Sequence, residues 1–447
     1  MTKFTSAALI LLLFLSAQSL LKGSKVFPHD YKIEELENGL KVVSIPLNNP
    51  NIISYYTIVR SGSRNEVEPG KSGFAHFFEH MMFKGTKKFP REVYDDIITK
   101  LGAGRNAFTS DDYTFYYVVF AGRENLEKVL ELEADKFMNI YYTEEMLKTE
   151  ASVIEGEYYR SVSNPARKIY EILRDTAFEK HSYKHTVIGY FRDIIDMPNQ
   201  FEYSQLYRKR FYAPDNTVIL VAGDYDHDQL MEHIQKYYGG WEKSGYTLVT
   251  PEEPPQTKAK RAHYNWPTQT LPRLTVGFHG PAYSEEEIDK TALNLLAEIA
   301  FSHSSPLYQK LVIDEQKCLS LEASFGDRRD PYLLTFNSIV KKDEDLPYVE
   351  KAIFKELERL KKEPVSEEIL ADAKSNLKYT FANSMGTTDG VASALVFYIN
   401  LTTDPETVNK LFDLYEKVTP EDIKQMAKKY FKTTNSTVVT LSGGKAK

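Results

Sequence analysis

The segment His76-Phe77-Phe78-Glu79-His80 contains the residue types that hold a metal ion and move a proton. In a helix, a spacing of four residues puts both imidazoles on one face, one turn apart, where they can share a metal ion. Glu79 would lie beside them, where a carboxylate can take the proton of a water that attacks a carbonyl and pass it to the leaving amine. The order H-x-x-E-H is a known pattern of catalytic zinc sites, so the segment predicts hydrolysis at zinc.

The same polar residues could instead form a solvated cluster on a helix surface. The side chains around them are strongly apolar, which disfavours an exposed face and suits a dry metal pocket. These neighbours are Phe77, Phe78, Met81, Met82 and Phe83. We therefore favour the metal site over the surface cluster.

A hydrolytic zinc site needs a third protein ligand from elsewhere in the chain. The single cysteine, Cys318, excludes a Cys-based structural zinc site and leaves histidine and carboxylate as ligands. A predicted helix over 144–160 contains Glu150, Glu155 and Glu157. Glu150 and Glu157 are two turns apart and share a face, so one can bind the metal while the other orients a ligand histidine. The residues alone leave open which one binds, and each could simply be an exposed helix residue.

Regular elements are predicted around these residues from the spacing of apolar side chains. Helices are predicted over residues 73–83, 126–141 and 144–160, and strands over 41–45, 52–59 and 114–120. The Pro-rich stretch 250–255 and the basic residues after it contain too few apolar side chains to pack, which is typical of a linker. We predict an N-terminal domain over 26–249, a linker over 250–266 and a C-terminal domain over 267–447.

Two segments, 211–221 and 430–440, resemble each other. Each contains a helix end, a turn with an asparagine at the same place, Asn216 or Asn435, and a β-branched run that ends near a glycine. Such a repeat indicates a duplicated domain of roughly 200 residues, although a match this short can arise by chance. Together with the alternation of strands and helices, it predicts an α+β fold of two related domains.

The first residues are typical of an export signal, with Lys3 before an apolar run at 7–15 and small residues at 16–19. We expect a signal peptide over 1–19 and an exported protein, periplasmic or extracellular, that does not contact a membrane after the signal is removed. The run is shorter than the about 20 apolar residues of a membrane span, and an uncleaved anchor is the alternative. The net charge is −7 and Lys and Arg form no basic block, so nucleic acid is not an expected partner.

His76, Glu79, His80, Glu150 and Glu157 together resemble the pattern of the pitrilysin, insulysin and mitochondrial processing peptidase family, H-x-x-E-H followed by E-x6-E. The 157 − 80 − 1 = 76 residues between the two parts are a spacing that this family shows. The resemblance implies one Zn²⁺ per chain, held by His76, His80 and Glu157, with Glu79 as the catalytic base and Glu150 supporting a ligand. It also implies two mostly antiparallel sheets packed with helices that form one half of a chamber for short unfolded peptides.

The similarity covers most of the chain. It continues outside the metal pattern at residues 73–75, 84–86, 106–109 and 116–117. In the family the strand with the Asn-Ala pair is a sheet edge to which an extended peptide adds, so the resemblance makes Asn106 and Ala107 substrate contacts. Asn106 could instead only hold a turn. His181 and His185 lie in a further family-like segment, and we assign them no ligand role.

One departure from the family pattern concerns catalysis. Self-sufficient members have an Arg and a Tyr seven residues apart in the second domain, and Val312 and Leu319 occupy those places here. Neither side chain can donate a hydrogen bond to a developing oxyanion, a contact typically worth roughly 3 kcal/mol. The resemblance therefore implies a homologous companion subunit that supplies Arg and Tyr, in a heterodimer, or else a homodimer. The alternatives are a non-catalytic assembly or peptide-binding subunit of the same fold, and an unrelated exported binding protein with a chance histidine cluster.

Overall fold

The computed structural model describes residues 25–444, and the predicted signal peptide, 1–19, lies outside them. The strands of this part of the chain form two sheets. The first sheet contains β1 (Lys32–Glu35), β2 (Lys41–Pro46), β3 (Ile52–Val59), β4 (Gly104–Thr109), β5 (Thr114–Ala121) and β6 (Thr217–Gly223). The second sheet contains β7 (Lys260–Trp266), β8 (Arg273–His279), β9 (Cys318–Ser324), β10 (Leu333–Val340) and β11 (Ser436–Gly443).

Helices pack on both sheets. In the N-terminal half they are α1 (Phe74–Met81), α2 (Arg91–Lys100), α3 (Leu126–Asn139), α4 (Glu144–Val162), α5 (Pro165–Ala177), α6 (Phe191–Asp196), α7 (Phe201–Phe211) and α8 (His227–Tyr238). In the C-terminal half they are α9 (Asp289–Phe301), α10 (Pro306–Tyr308), α11 (Leu346–Lys362), α12 (Glu367–Ser384), α13 (Thr388–Thr402), α14 (Thr407–Lys417) and α15 (Pro420–Tyr430). Within residues 25–444, none of these helices combines the length and apolar composition that crossing a membrane requires.

The two sheets have equivalent strand orders. The first is ordered β1-β2-β6-β3-β5-β4 and the second β7-β11-β8-β10-β9, so β7 corresponds to β2 and β9 to β4. Each sheet has one parallel pair, β2 with β6 or β7 with β11. The other strand pairs of the described residues are antiparallel. The predicted fold class is confirmed: α+β, with two related and mostly antiparallel sheets packed with helices.

The internal repeat lies at the same place in both sheets. Asn216 Nδ2 donates a hydrogen bond of 2.9 Å to Phe211 O at the end of α7. Asn435 Nδ2 donates one of 3.0 Å to Tyr430 O at the end of α15. Each asparagine satisfies a helix-terminal carbonyl that has no partner within its own helix, just before the chain enters β6 or β11. This shared task explains why an asparagine occurs at both positions.

Each sheet is covered in part by a helix from the other half of the chain. α5 packs on β7, β8 and β11, whereas α13 packs on β3 and β6. Two arginines from the ends of different sheets hold the last turn of α13: Arg60 Nη2 donates to Ile399 O at 3.5 Å, and Arg329 Nη2 donates to Asn400 O at 3.0 Å. Cations are favourable at a helix C-terminus because its carbonyls carry partial negative charge. The two halves are therefore interlocked.

The predicted linker, 250–266, is too long at its C-terminal end. Residues 260–266 form β7, which pairs in parallel with β11. Ala262, Tyr264 and Trp266 pack against the apolar side of α5, while the residues between them are exposed. The overall polar composition concealed this alternation, and the partner strand lies far away in the sequence. The boundary of the two domains otherwise stays a prediction.

Candidate metal centre

The start of α1, the helix with the metal pattern, is fixed by two contacts. Gly73 precedes it with a φ of 93°, a conformation that favours glycine, and a Cβ at this position would lie 2.7 Å from Ile188 O. Glu66 is buried and accepts hydrogen bonds of 2.7 Å from the N–H groups of Gly73 and Ala75. A carboxylate is favourable at this positive end of the helix. These contacts set where α1 begins and how it is rotated.

α1 separates an apolar face from a polar one. Five of its side chains are at most 1% exposed and pack in the core beneath the first sheet: Phe74, Ala75, Phe77, Phe78 and Met81. His76, Glu79 and His80 occupy the remaining, partly exposed face. The helical spacing predicted from the sequence is therefore present, and it aims the three polar side chains toward α4 and β4, both of which α1 contacts.

The three predicted metal ligands lie together where α1 meets α4. Glu157 Oε2 is 3.6 Å from His76 Nε2 and 3.5 Å from His80 Nε2. One ligand atom from each residue lies within 4.8 Å of the others. Among residues 25–444, this is the one group of His, Cys, Asp or Glu side chains whose spacing could hold a metal ion.

The donor set fits zinc. Ligand atoms about 2.1 Å from a tetrahedral zinc lie about 3.4 Å apart, close to the 3.5 and 3.6 Å between Glu157 and the two histidines. Burial, helped by the charge of His80, lowers the pKa of His76 to about 3. Its imidazole is therefore neutral, which is the form that binds a metal. Two histidines and one carboxylate also leave a fourth position for water or substrate.

Glu150 lies on the other side of His80. Its Oε1 is 2.8 Å from His80 Nδ1, and its Oε2 forms an ion pair with Lys84. Although burial opposes it, the hydrogen bonds from His80 and Lys84 lower the pKa of Glu150 to about 2. An anionic Glu150 accepts a hydrogen bond from Nδ1–H of His80, which keeps the proton on Nδ1 and leaves the Nε2 lone pair directed at the metal position. Sequence reasoning missed Lys84, although it lies in one of the family-like stretches.

Glu79 contacts the end of β4. Thr109 Oγ1 donates a hydrogen bond of 2.5 Å to Glu79 Oε2. Burial raises the pKa of Glu79 above its usual value, while the hydrogen bond from Thr109 opposes the shift. A carboxylate with a raised pKa holds a proton more readily, which suits a general base that must later act as an acid. Sequence reasoning also missed Thr109, which follows Asn106 and Ala107 in the same strand.

β4 is the edge strand of the first sheet. Among the described strands it pairs with β5 alone, so its other side offers backbone N–H and C=O groups. Asn106 is exposed and Ala107 is buried at 8% exposure. Both predicted substrate contacts thus lie on a strand with a free edge, directly above α1.

The turn after β4 is held by a buried charge cluster. Asp111 accepts hydrogen bonds of 2.8 Å from Arg174 Nη2 in α5 and from Arg328 Nε in the loop before β10. Asp112 accepts one of 2.9 Å from the N–H of Arg329. Asp111 is 3% exposed and Asp112 is 2% exposed. The C-terminal half therefore supports the strand that contacts Glu79.

The other histidines named from the sequence lie outside the metal cluster. His181 is 4% exposed, and its Nε2 is 2.9 Å from Asp330 Oδ2. His185 is also buried, and its Nδ1 is 3.1 Å from Thr186 O. His181 belongs to the polar packing between the two halves, whereas His185 contacts residues of the N-terminal half.

Val312 and Leu319 lie near the edge of the second sheet. Val312 is partly buried in a π-helical stretch, Gln309–Asp314, that continues α10. Leu319 is 49% exposed on β9, the strand that corresponds to β4. Neither offers a hydrogen-bond donor.

Comparisons with known proteins identify related peptidases. Residues 42–189 match the family model described as Insulinase (Peptidase family M16), and residues 202–377 match the one described as Peptidase M16 inactive domain. Zinc protease PqqE of Helicobacter pylori is 29% identical over 412 residues, 91% of each chain. The solved structure of a protease from Helicobacter pylori has a TM-score of 0.85 at 28% identity and covers 93% of this chain and 99% of that one.

A second solved structure shows the fold alone. The periplasmic protease PqqL from Escherichia coli is 20% identical with a TM-score of 0.75, and the match covers 93% of this chain but 48% of that one. This chain is thus similar to about half of PqqL. The matched family models, the relatives named zinc proteases and the shared fold define a class of peptidases. The chain belongs to the M16 family, the insulinase family, which confirms the resemblance found in the metal pattern.

Proposed function

We propose that this chain is a zinc-dependent endopeptidase that hydrolyses short unfolded peptides. The observation that carries the proposal is the convergence of His76, His80 and Glu157 within 4.8 Å, with Glu79 on the same helix face. Bound Zn²⁺ would supply a Lewis acid that polarises a peptide carbonyl and makes a water more acidic. We assign one Zn²⁺ per chain.

The chain's own residues would divide the chemistry. Glu79 takes the proton from the attacking water and delivers it to the leaving nitrogen, which the raised pKa of its carboxyl favours. Glu150 fixes the tautomer of His80 and thereby its orientation, supported by the 2.8 Å contact. Asn106 and Ala107 would bind an extended peptide by adding it to the free edge of β4. This mode requires an unpaired backbone, so it selects unfolded peptides over folded proteins.

A companion subunit would complete the site. Val312 and Leu319 offer no donor at the places where self-sufficient members of the family have Arg and Tyr. We propose that a homologous subunit supplies these groups across a peptide chamber, or that in a homodimer other donors of the second copy replace them. The similarity to about half of PqqL supports an assembly of two such halves. A non-catalytic assembly or peptide-binding subunit is the second candidate, favoured by the missing pair.

We further propose that the chain is exported to the periplasm or the extracellular space. The support is the apolar run at 7–15 with small residues after it, together with the periplasmic source of the similar PqqL protease.

The experiment is cleavage of a mixed peptide library by the zinc-loaded chain without residues 1–19, compared with Glu79→Gln and with Glu155→Gln, a control on α4. We expect cleavage by the wild type and by Glu155→Gln, either as a homodimer or once the companion subunit is added, and none by Glu79→Gln. Equal cleavage by the wild type and Glu79→Gln would contradict the proposed chemistry. If the chain alone bound zinc but did not cleave, a companion subunit would be needed for activity. If neither a homologous partner nor homodimer formation then restored cleavage, a non-catalytic subunit would be the better assignment.

A further inference from the structure

The contact between Thr109 and Glu79 joins the substrate strand to the general base. Thr109 is the last residue of β4, and its Oγ1 donates to Glu79 Oε2 at 2.5 Å. We propose that Thr109 is a positioning residue for Glu79, which ties the orientation of the base to the strand that binds the peptide. This inference rests on the proposed function.

The chemistry of the two groups fixes the direction of the contact. An ionised carboxylate can only accept, so the single hydrogen of the Thr109 hydroxyl must point at Glu79. A hydrogen bond to a charged acceptor is among the stronger ones in proteins. With Oε2 held in this way, rotation of the Glu79 carboxylate is restricted, and its other oxygen keeps a defined direction.

The Thr109 hydroxyl is itself held in place. Thr109 is 5% exposed, and its Oγ1 lies 3.3 Å from Thr114 Oγ1, directly across the hairpin. Thr114 is fully buried and donates a hydrogen bond of 2.9 Å to Ser61 O. A buried and β-branched side chain has little rotamer freedom. The donor that faces Glu79 therefore has a nearly fixed position.

The backbone of Thr109 is anchored by the charge cluster in the turn. Asp111, two residues further on, binds Arg174 and Arg328 at 2.8 Å each, and both Asp111 and Arg174 are at most 3% exposed. Removing one partner of such a buried group is strongly unfavourable, so the turn resists displacement. β4 thus ends at a rigid point of the structure.

The alternation of side chains in β4 relates this rigid point to the substrate. Ala107 and Thr109 are two residues apart, so their side chains lie on the same face of the strand, toward α1. A peptide that pairs with the free edge of β4 would have its backbone fixed relative to Thr109. The distance between its scissile carbonyl and Glu79 is then set through one short chain of contacts, and the loss of Thr109 should impair the chemical step more than peptide binding.

The test compares Thr109→Val, which keeps the shape and removes the hydroxyl, with Thr109→Ser, which restores it. Thr217→Val is the matched control, because Thr217 is a buried threonine of β6 whose hydroxyl bonds to Ala213 O. We expect Thr109→Val to lower kcat roughly tenfold to a hundredfold with KM and zinc content unchanged. Thr109→Ser should recover most of the activity, and Thr217→Val should match the wild type.

A structural measurement gives a second readout that needs no activity. In crystal structures of the zinc-loaded variants, Glu79 should keep its orientation in Thr109→Ser and adopt another in Thr109→Val. An unchanged orientation of Glu79 in Thr109→Val would overturn the inference. A wild-type kcat for Thr109→Val, in an assay in which Glu79→Gln is inactive, would also overturn it. Cleavage that survives Glu79→Gln would instead count against the proposed function.

Discussion

Replacement of Glu150 by Gln should weaken zinc binding although Glu150 does not reach the metal position. In the wild type, Glu150 Oε1 lies 2.8 Å from His80 Nδ1 and the side chain is 8% exposed. Gln has the same shape but no charge, so it holds the Nδ1 proton less strongly and makes Nε2 a weaker ligand. It also leaves Lys84 without its anionic partner.

The expected size of this effect follows from the two lost contacts. The loss of a partner behind a metal-bound histidine typically weakens metal affinity roughly tenfold to a hundredfold. This corresponds to about 1.4–2.7 kcal/mol of binding free energy. Because Glu150→Gln removes the charged partner of both His80 and Lys84, we expect a loss of binding free energy near the upper end of this range. Lys84→Met, which leaves the contact between Glu150 and His80 in place, should have the smaller effect.

The assay is a competition titration of Zn²⁺ between the protein and a chromophoric chelator at neutral pH. Glu155→Gln is the matched control, because it removes the same charge from the same helix outside the metal cluster. Zinc affinity should fall for Glu150→Gln and stay at the wild-type value for Glu155→Gln. Equal zinc affinities for Glu150→Gln and the wild type would refute the reasoning. If Glu150→Gln and Glu155→Gln lost the same zinc affinity, the loss would come from the change in net charge and not from the contact with His80.

Two further predictions concern stability. Burial opposes the ionisation of Asp330, but the hydrogen bonds from its histidine and arginine partners lower its pKa to about 2. The ionised carboxylate therefore contributes to the free energy of unfolding above about pH 4, and this contribution is lost as the pH falls toward 2. Asp330→Asn should therefore lower the free energy of urea unfolding by roughly 1–2 kcal/mol at neutral pH, allowing for partial exposure, and a loss that persisted at low pH would contradict this cause. Gly73→Ala should destabilise the protein by more than Gly70→Ala, because both glycines have positive φ but only the added Cβ at Gly73 would meet backbone atoms; equal melting temperatures for the two variants would argue against a steric role of Gly73.

The sequence predicted the parts of the site that depend on local spacing. Four-residue spacing put His76 and His80 on one helix face, and seven-residue spacing did the same for Glu150 and Glu157. It could not assign the roles of the two glutamates, since a shared face makes them equivalent until the crossing of α1 and α4 is known. In the structure, Glu157 approaches Nε2 of both histidines, whereas Glu150 approaches Nδ1 of His80.

Contacts between distant parts of the chain were beyond sequence reasoning. Thr109 meets Glu79 across 30 residues, and Lys84 meets Glu150 across 66, positions that only sheet formation and helix packing bring together. β7 was taken as a linker for the same reason, because it is a strand only through its pairing with β11.

The sequence alone determined the helix with the metal pattern, several strands and the repeat marked by Asn216 and Asn435, since helix and strand periodicity and helix-end hydrogen bonds are local properties. Tertiary structure decided which side chains support the metal ligands and the base. It also decided that α5 and α13 each pack on the sheet of the other half, and that the charge cluster at Asp111 anchors β4. The physical reason is that these contacts form only when segments far apart in sequence pack against each other, and no local pattern encodes their relative position.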